Sequence, residues 1–340
     1  MPTHMRQEIS EIPEAAARLL GQSHTTLKAA GAALRERDPA FLVTIARGSS
    51  DHAAQFLKYA IEQKAGRAVA SVGPSLASIY GKSLKLDNAA AISISQSGKS
   101  PDIVALARSA AGSGALTISL TNTHPSPLAE ASEHAIDINA GPELAVAATK
   151  SFFNSILAGL AILGEWTQDS SLQDAVRELP EKLRGAVELE WNELAAELAE
   201  AESLYVLGRG PALAIANEAA LKFKETSELH AEAYSSAEVL HGPVALVERR
   251  FPVIAFAVED EALSSVISTA DDLAQRGALA FITAEGALKA RPLPVVKTGH
   301  PFTDALASIV PFYGFVEAWS RSRGFNPDAP AALKKVTETR

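Results

Sequence analysis

The stretch Ala90–Ala110, AAISISQSGKSPDIVALARSA, decides how this chain folds. Its opening is small and apolar with two isoleucines, the pattern of a strand buried on both faces. Ser95-Gln96-Ser97-Gly98-Lys99-Ser100 breaks that run, and a helical pattern resumes from Pro101. Ser100 suits an N-cap and Pro101 the first helical position. Gly98 permits backbone angles closed to other residues and lets a ligand approach the main chain.

Strand running into helix recurs outward from this point. The sequence predicts strands at 41–46, 68–72, 90–95, 115–120 and 134–138, with helices over 12–37 and about 51–65. Alanine-rich helices follow at roughly 145–167 and 171–200, and a second series of strands at 204–208, 253–258, 279–283 and 294–298. Such alternation predicts an α/β fold of parallel sheets with helices on both faces. The two series match. Arg47-Gly48 after the first strand returns as Arg209-Gly210, 162 positions later, and ALTISLTN from Ala115 corresponds to ALAFITAEG from Ala278. One doubly wound unit of about 160 residues is therefore duplicated. The expected organisation is an N-terminal helical segment (1–40), a first subdomain (41–168), a connecting helix (169–202), a second subdomain (203–324) and a C-terminal tail (325–340) that closes the active site.

The copies differ where chemistry belongs. Ser95, Ser97 and Ser100 offer hydroxyls and Gln96 an amide, in front of the positive end of a helix, which is a place for phosphate. Gly48-Ser49-Ser50 after the first strand is the natural second wall, and Thr121-Asn122 a third. Shifted by 162, the Ser95–Ser100 turn becomes Ala257-Val258-Glu259-Asp260-Glu261-Ala262, with three acids that repel phosphate. Serines cap helices and glycines make turns for structural reasons alone. Two hydroxyl-rich turns in one copy, lost in the other, favour an anion site. The turn is neither a Walker loop nor a dinucleotide fingerprint.

Composition narrows the function. Of 340 residues, 47% are hydrophobic and 21% charged, the formal charge is −9, and there is no cysteine. Thiolate chemistry and Cys-based zinc sites are excluded within this chain, and the charge with no basic tract argues against nucleic acid. No apolar run has the length of a membrane span. The polar start MPTHMRQEIS does not read as a signal sequence, so a cytoplasmic location is expected.

Asn217–Pro243, NEAALKFKETSELHAEAYSSAEVLHGP, carries the titratable groups. Glu218, Lys222 and Glu225 are four and three apart and share one helical face, either as a solvated ion-pair stripe or as acid–base machinery. His230, Glu232, Tyr234, Glu238 and His241 follow. His241 stands before Gly242-Pro243, while His230 suits a structural role. His-Glu-x-x-His is absent, and no metal or other cofactor is expected. Lys334 and Lys335 lie in a polar C-terminal tail.

RGSSDHAA, SISQSGKSPD, GPELAVAATKSF, the block around His241 and LKKVTET together resemble the sugar isomerase (SIS) domain family, over nearly the whole chain. The specific likeness is to the isomerase half of glucosamine-6-phosphate synthase and to related stand-alone glucosamine-6-phosphate deaminases. The resemblance implies two tandem SIS subdomains of doubly wound, flavodoxin-like topology. It implies that Ser50, Ser95, Gln96, Ser97 and Ser100 hold a sugar phosphate and that Val146 lines the sugar. It also implies that Glu225 moves a proton between C1 and C2, that His241 opens the ring, that Lys334 sits at the carbonyl end, and that Lys222 assists near the ring oxygen or a hydroxyl. The family's histidine segment crosses a dimer, so a homodimer with His241 serving the partner's site is expected. Lys99 and Ser100 depart from the acid and threonine usual after SQSG, and Lys335 beside Lys334 leaves two candidates for the working lysine. The synthase's glutaminase domain and its cysteine have no counterpart in these residues. The expected reaction is deamination of glucosamine 6-phosphate to fructose 6-phosphate and ammonia. The alternatives are galactosamine 6-phosphate or fructosamine 6-phosphate chemistry, glucose 6-phosphate/fructose 6-phosphate isomerisation, or a non-catalytic sugar-phosphate sensor.

Overall fold

A computed structural model describes residues 2–331, Leu333 and Lys335. Two five-stranded sheets, all parallel, form the framework. The first contains β1 (Phe41–Ile45), β2 (Val69–Ser71), β3 (Ala89–Ile94), β4 (Leu116–Thr121) and β5 (His134–Asp137), in the order β2-β1-β3-β4-β5. The second contains β6 (Ser203–Gly208), β7 (His230–Ser235), β8 (Pro252–Ala255), β9 (Leu279–Ile282) and β10 (Arg291–Pro292), in the order β10-β9-β8-β6-β7. Read from the other edge, the second order repeats the first, and both are the flavodoxin-like winding.

The duplication holds to single residues. The helices after β1 and β6 begin at Ser49 and Pro211, and those after β3 and β8 at Pro101 and Leu263. Gly48 and Gly210, which precede the first pair, have φ/ψ of 55°/−134° and 57°/−134°. That region is costly for any residue with a Cβ, so both copies need glycine there.

The chain divides into two compact units, one around each sheet. The first comprises Glu11–Glu143, Lys150–Pro180 and Lys335; the second comprises residues up to Ser10, Leu144–Thr149, and Glu181 onward to Leu333. In the first unit every residue of β3 and β4 is buried. Ala89 and Ala91 admit the helix Pro101–Gly112, whose Ile103, Leu106 and Ala107 complete the core above the sheet. Beneath it, helices His24–Arg37 and Ser49–Ala65 pack on the almost wholly buried Lys150–Thr167. In the second unit Tyr205, Leu207, Val253, Ala255 and Ile282 form the core with Val266, Ala270 and Leu273 of the helix Leu263–Gln275.

Several elements differ from the sequence-based expectation. The predicted helix 12–37 is two helices, Ile12–Gln22 and His24–Arg37, broken at Ser23, whose hydroxyl donates to the Asp137 carbonyl at 2.6 Å. The helix expected from 145 begins at Lys150, and that over 171–200 is Ser170–Ala186 followed by Asn192–Glu197. The last strand is Arg291–Pro292 and not 294–298; it is a two-residue edge strand paired with Phe281 and Ile282, an edge position where proline is tolerated. β7 lies outside the strands expected from the sequence, because the apolar positions that alternate in HAEAYS are only alanines and Ala and Glu have little strand preference. Among the described residues no helix is long and apolar enough to cross a membrane.

One close approach tests the packing of the first unit. A Cβ on Gly31 would lie 2.5 Å from Glu165 Cβ and 2.9 Å from the Ile162 carbonyl oxygen. Ala normally exceeds Gly in a helix by about 1 kcal/mol. Here the backbone of the facing helix cannot give way, so Gly31→Ala should reverse that sign and lose about 1–2 kcal/mol in urea denaturation.

Candidate functional site

In the first unit, Arg47, Ser50, Ile94, Ser95, Gln96, Ser97, Ser100, Ile103 and Lys335 line a cavity of about 140 Å³. That is room for several water molecules, which suits one small polyoxygen group. Because parallel β1 and β3 end together at the winding's switch point, the two hydroxyl-bearing turns face each other there. The five residues expected to hold phosphate are thus brought together.

The turn is rigid for identifiable reasons. Gly98 has φ +61°, and a Cβ on it would meet Ser126 Oγ at 2.3 Å and Thr121 Oγ1 at 2.8 Å. Its N–H donates to the Ser95 carbonyl and hydroxyl oxygens, both at 3.2 Å. The Gln96 carbonyl accepts from the Asn122 N–H at 3.1 Å. Thr121-Asn122 therefore brace the turn and do not line the cavity, against the expectation of a third wall. Ser100 occupies the N-cap but makes no side-chain cap bond, and its hydroxyl lines the cavity; Pro101 has no N–H, and the Ile103 N–H donates to Asp102 Oδ1 at 2.9 Å.

Two cations complete the lining, and sequence reading assigned neither to this cavity. Arg47 pairs with the wholly buried Asp102 in the first turn of helix Pro101–Gly112. Lys335 Nζ lies 3.3 Å from Glu143 Oε2, and that carboxylate accepts from the Ser151 hydroxyl at 2.6 Å and the Ser151 N–H at 3.1 Å. Next to it, buried Lys150 donates to Glu11 and to the Pro142 carbonyl, at 2.5 and 2.8 Å. GPELAVAATKSF is thus in part a brace for Glu143. A signal for Arg47 existed: Arg209 repeats it, but Asp102 has Ser264 at the matching place. Lys99 is exposed and does not line the cavity.

The second unit holds the residues expected to carry acid–base chemistry. Glu218, Lys222 and Glu225 lie on helix Pro211–Ser227, with Lys222 Nζ 3.1 Å from Glu218 Oε1 and 2.5 Å from Glu225 Oε2. The solvated-stripe alternative fails, since the side chains of Lys222 and Glu218 are 0% exposed while that of Glu225 is 21% exposed. Burial alone would push the Lys222 ammonium down, but the two carboxylates outweigh it and hold it above the usual lysine range. Lys222 stays charged, and Glu225 presents a clamped carboxylate at the surface of its unit.

His241 is exposed, ends the short helix Glu238–Leu240 and donates its backbone N–H to the Glu238 carbonyl at 2.9 Å. Its turn is held from below. Tyr205 Oη donates to the Pro243 carbonyl at 3.1 Å, and the ring packs edge-on against Tyr234 and Phe251. Tyr234 donates to Glu232 at 2.8 Å, and this bond, with burial, pushes its phenol up to about 12. His230 pairs with Ser203 at the start of β7, a structural position. Val146 is half-buried, and its N–H donates to the Asp328 carbonyl at 3.1 Å. Lys334 lies outside the described residues. Among the described residues no group of three or more His, Asp or Glu could hold a metal ion.

Comparison with known proteins agrees with this architecture. The SIS domain family matches residues 37–163 and 197–287, and the chain belongs to that family. It is 31% identical over 315 residues to the glutamine–fructose-6-phosphate aminotransferase (isomerizing) of Corynebacterium glutamicum, covering 86% of this chain and 50% of that protein. The chain spans about half the length of such relatives. A crystal structure from Silicibacter pomeroyi DSS-3, provisionally named a phosphosugar isomerase, superposes with a TM-score of 0.93 at 52% identity, covering 96% of this chain and 100% of that one. The C-terminal domain of the Francisella tularensis glucosamine-fructose-6-phosphate aminotransferase superposes with a TM-score of 0.86 at 27% identity, covering 96% and 98%.

The buried triad makes a stability prediction. Lys222→Met leaves Glu218 ionised and buried beside a methyl group and should cost about 3–5 kcal/mol. Adding Glu218→Gln should recover a large part of that loss in thermal or chemical unfolding. An additive double variant would show that the pair is not coupled.

Proposed function

We propose that this chain is an amino-sugar-phosphate deaminase that converts glucosamine 6-phosphate and water to fructose 6-phosphate and ammonia. The observation that carries the reading is the clamped pair of Lys222 and Glu225, one carboxylate partly exposed and oriented by a buried ammonium. It accompanies a serine-lined cavity in the first unit, at a turn where the second copy carries three acids in place of the hydroxyls. The SIS relatives support sugar-phosphate chemistry of the aldose–ketose kind.

Each group has a role that its chemistry permits. The ester docks on Ser50, Ser95, Gln96, Ser97 and Ser100, whose donors suit phosphoryl oxygens. His241 gives a proton to the ring oxygen as the C1–O5 bond breaks, the O1 hydroxyl loses its proton to water, and the sugar opens to the C1 aldehyde. Glu225 takes the C2 proton, acidified by that aldehyde, while O1 is protonated, leaving an enolamine. Glu225 returns its proton to C1, the nitrogen loses one, and a C2 imine results. Water adds across the C=N bond and ammonia leaves, so the ketone of fructose 6-phosphate remains. Lys222 sets the carboxylate's position, and its burial favours this role over contact with the ring. Val146 lines the sugar, and Lys334 serves the carbonyl end. Docking the ester away from the reacting carbons uses remote binding to orient the chemistry.

A homodimer belongs to this reading. His241 is exposed between Leu240 and Leu246, which are 45% and 63% exposed, so the segment has apolar surface for a second copy. Ammonia release measured across glucosamine, galactosamine and fructosamine 6-phosphates, with glucose 6-phosphate isomerisation in parallel, decides the activity and the sugar. Glucosamine 6-phosphate should give the fastest release. Glu225→Gln should lower it at least a thousandfold while retaining phosphate binding; near-normal turnover in that variant would overturn the base assignment.

Mixing supplies a second check. Glu225→Gln and His241→Ala subunits are each expected to be inactive alone. If His241 serves a second copy's site, co-refolded mixtures should regain a substantial fraction of wild-type turnover, because one site per mixed dimer then carries both residues. Absence of any recovery would place both residues' action within one chain.

A further inference from the structure

We propose that Arg47 and Lys335 are phosphate ligands, each held in place by a buried carboxylate, and that they make this chain's anion cavity selective for a dianionic monoester. The inference rests on the reading of that cavity as the ester site and adds its charged wall.

Three observations lead there. Both cations line the cavity with the five expected residues. Both are backed by acids whose side chains are 0% exposed, Asp102 behind Arg47 and Glu143 behind Lys335. Glu143 is in turn fixed by two bonds from Ser151, so it is a built support and not a chance surface partner. The acids lie wholly out of solvent, while the side chains of Arg47 and Lys335 remain 42% and 26% exposed. A ligand entering the cavity therefore meets the cations.

The chemistry follows from charge. A phosphate monoester carries about −1.5 to −2 near neutrality. Neutral hydroxyls and amides satisfy its lone pairs without matching that charge, whereas charge-assisted bonds are about twice as strong. Arginine adds a fork that suits two oxygens at once, and lysine a single charge on a flexible stem. Asp102 and Glu143 fix both heads beforehand, which lowers the ordering cost on binding. The second copy has no matching support, since Ser264 stands at the place of Asp102.

Binding of inorganic phosphate, measured by calorimetry at several salt concentrations, tests this without any assay of turnover. Lys335→Ala should weaken binding about tenfold and flatten its salt dependence, because a screened charge contact has gone. Lys335→Arg should restore both. Lys99→Ala, which removes a nearby cation outside the cavity, should stay within twofold of wild type. Arg47→Gln strands Asp102, so it is made together with Asp102→Asn, and that double variant should also bind about tenfold more weakly. Ser97→Ala reports on the cavity itself. If Ser97→Ala weakens binding while Lys335→Ala and the Arg47 double variant leave it unchanged, the charged wall is overturned and the ester site stands. If Lys99→Ala weakens binding as much as Lys335→Ala, general surface charge is responsible and the proposal falls. If wild-type protein binds no phosphate, or Ser97→Ala changes nothing, the ester site falls and the charged wall with it.

Discussion

Parallel pairing of β1 with β3, from Phe41↔Ala89 to Ile45↔Ser93, is the constraint on which the first unit depends. Parallel neighbours must leave the sheet at the same end. The chain winds away from β1 toward one edge and from β3 toward the other, so a crevice opens between the two exits. Most of what lines the cavity, Lys335 apart, is carried by those exits and the helices they start. The helix from Pro101 adds the hydroxyl of its N-cap Ser100, and the helix from Ser49 adds Ser50. An antiparallel pairing of the same strands would have sent these turns to opposite ends.

The same winding occurs twice, and the residues at its exits decide what each copy can do. The glycine before the first helix is kept with almost identical angles, because the turn is a backbone requirement. The hydroxyls are not kept: Ser50 gives way to Ala212 and the SQSGKS turn to an acidic one. A backbone geometry shared by both copies thus carries hydroxyls in one and carboxylates in the other. The other copy instead carries its charged chemistry on the helix after β6, where Glu218, Lys222 and Glu225 lie.

Ionised side chains are handled consistently in both units. Lys150, Lys222, Asp102, Glu143 and Glu218 are buried, and each has an opposite charge within reach. Isolated charges would be prohibitively costly in such places, and paired ones cost more to break than they contribute when formed. Their value here is orientation. A buried partner fixes Glu225 in one unit and Arg47 and Lys335 in the other, so that exposed heads face outward in set positions. Tyr205 does the same for the His241 turn with an uncharged bond to the Pro243 carbonyl.

The sequence by itself determined the α/β class, the duplication, most strands and the serine turn, because these depend on local pattern and backbone chemistry. Pro101, Gly98 and the isoleucines of β3 are readable where they stand. It also placed Glu218, Lys222 and Glu225 on one helical face, since spacing alone does that. Tertiary structure decided whether that face was solvated or buried, which spacing does not encode. Only folding showed β7, whose polar residues are strand because β6 offers a free edge and not because of their own preference. Only folding brought Lys335 and Glu143 together across 192 positions and showed that Arg47 rests on Asp102. Long-range ion pairs leave no periodic trace in a chain, for their partners are chosen by the packing that excludes water from them.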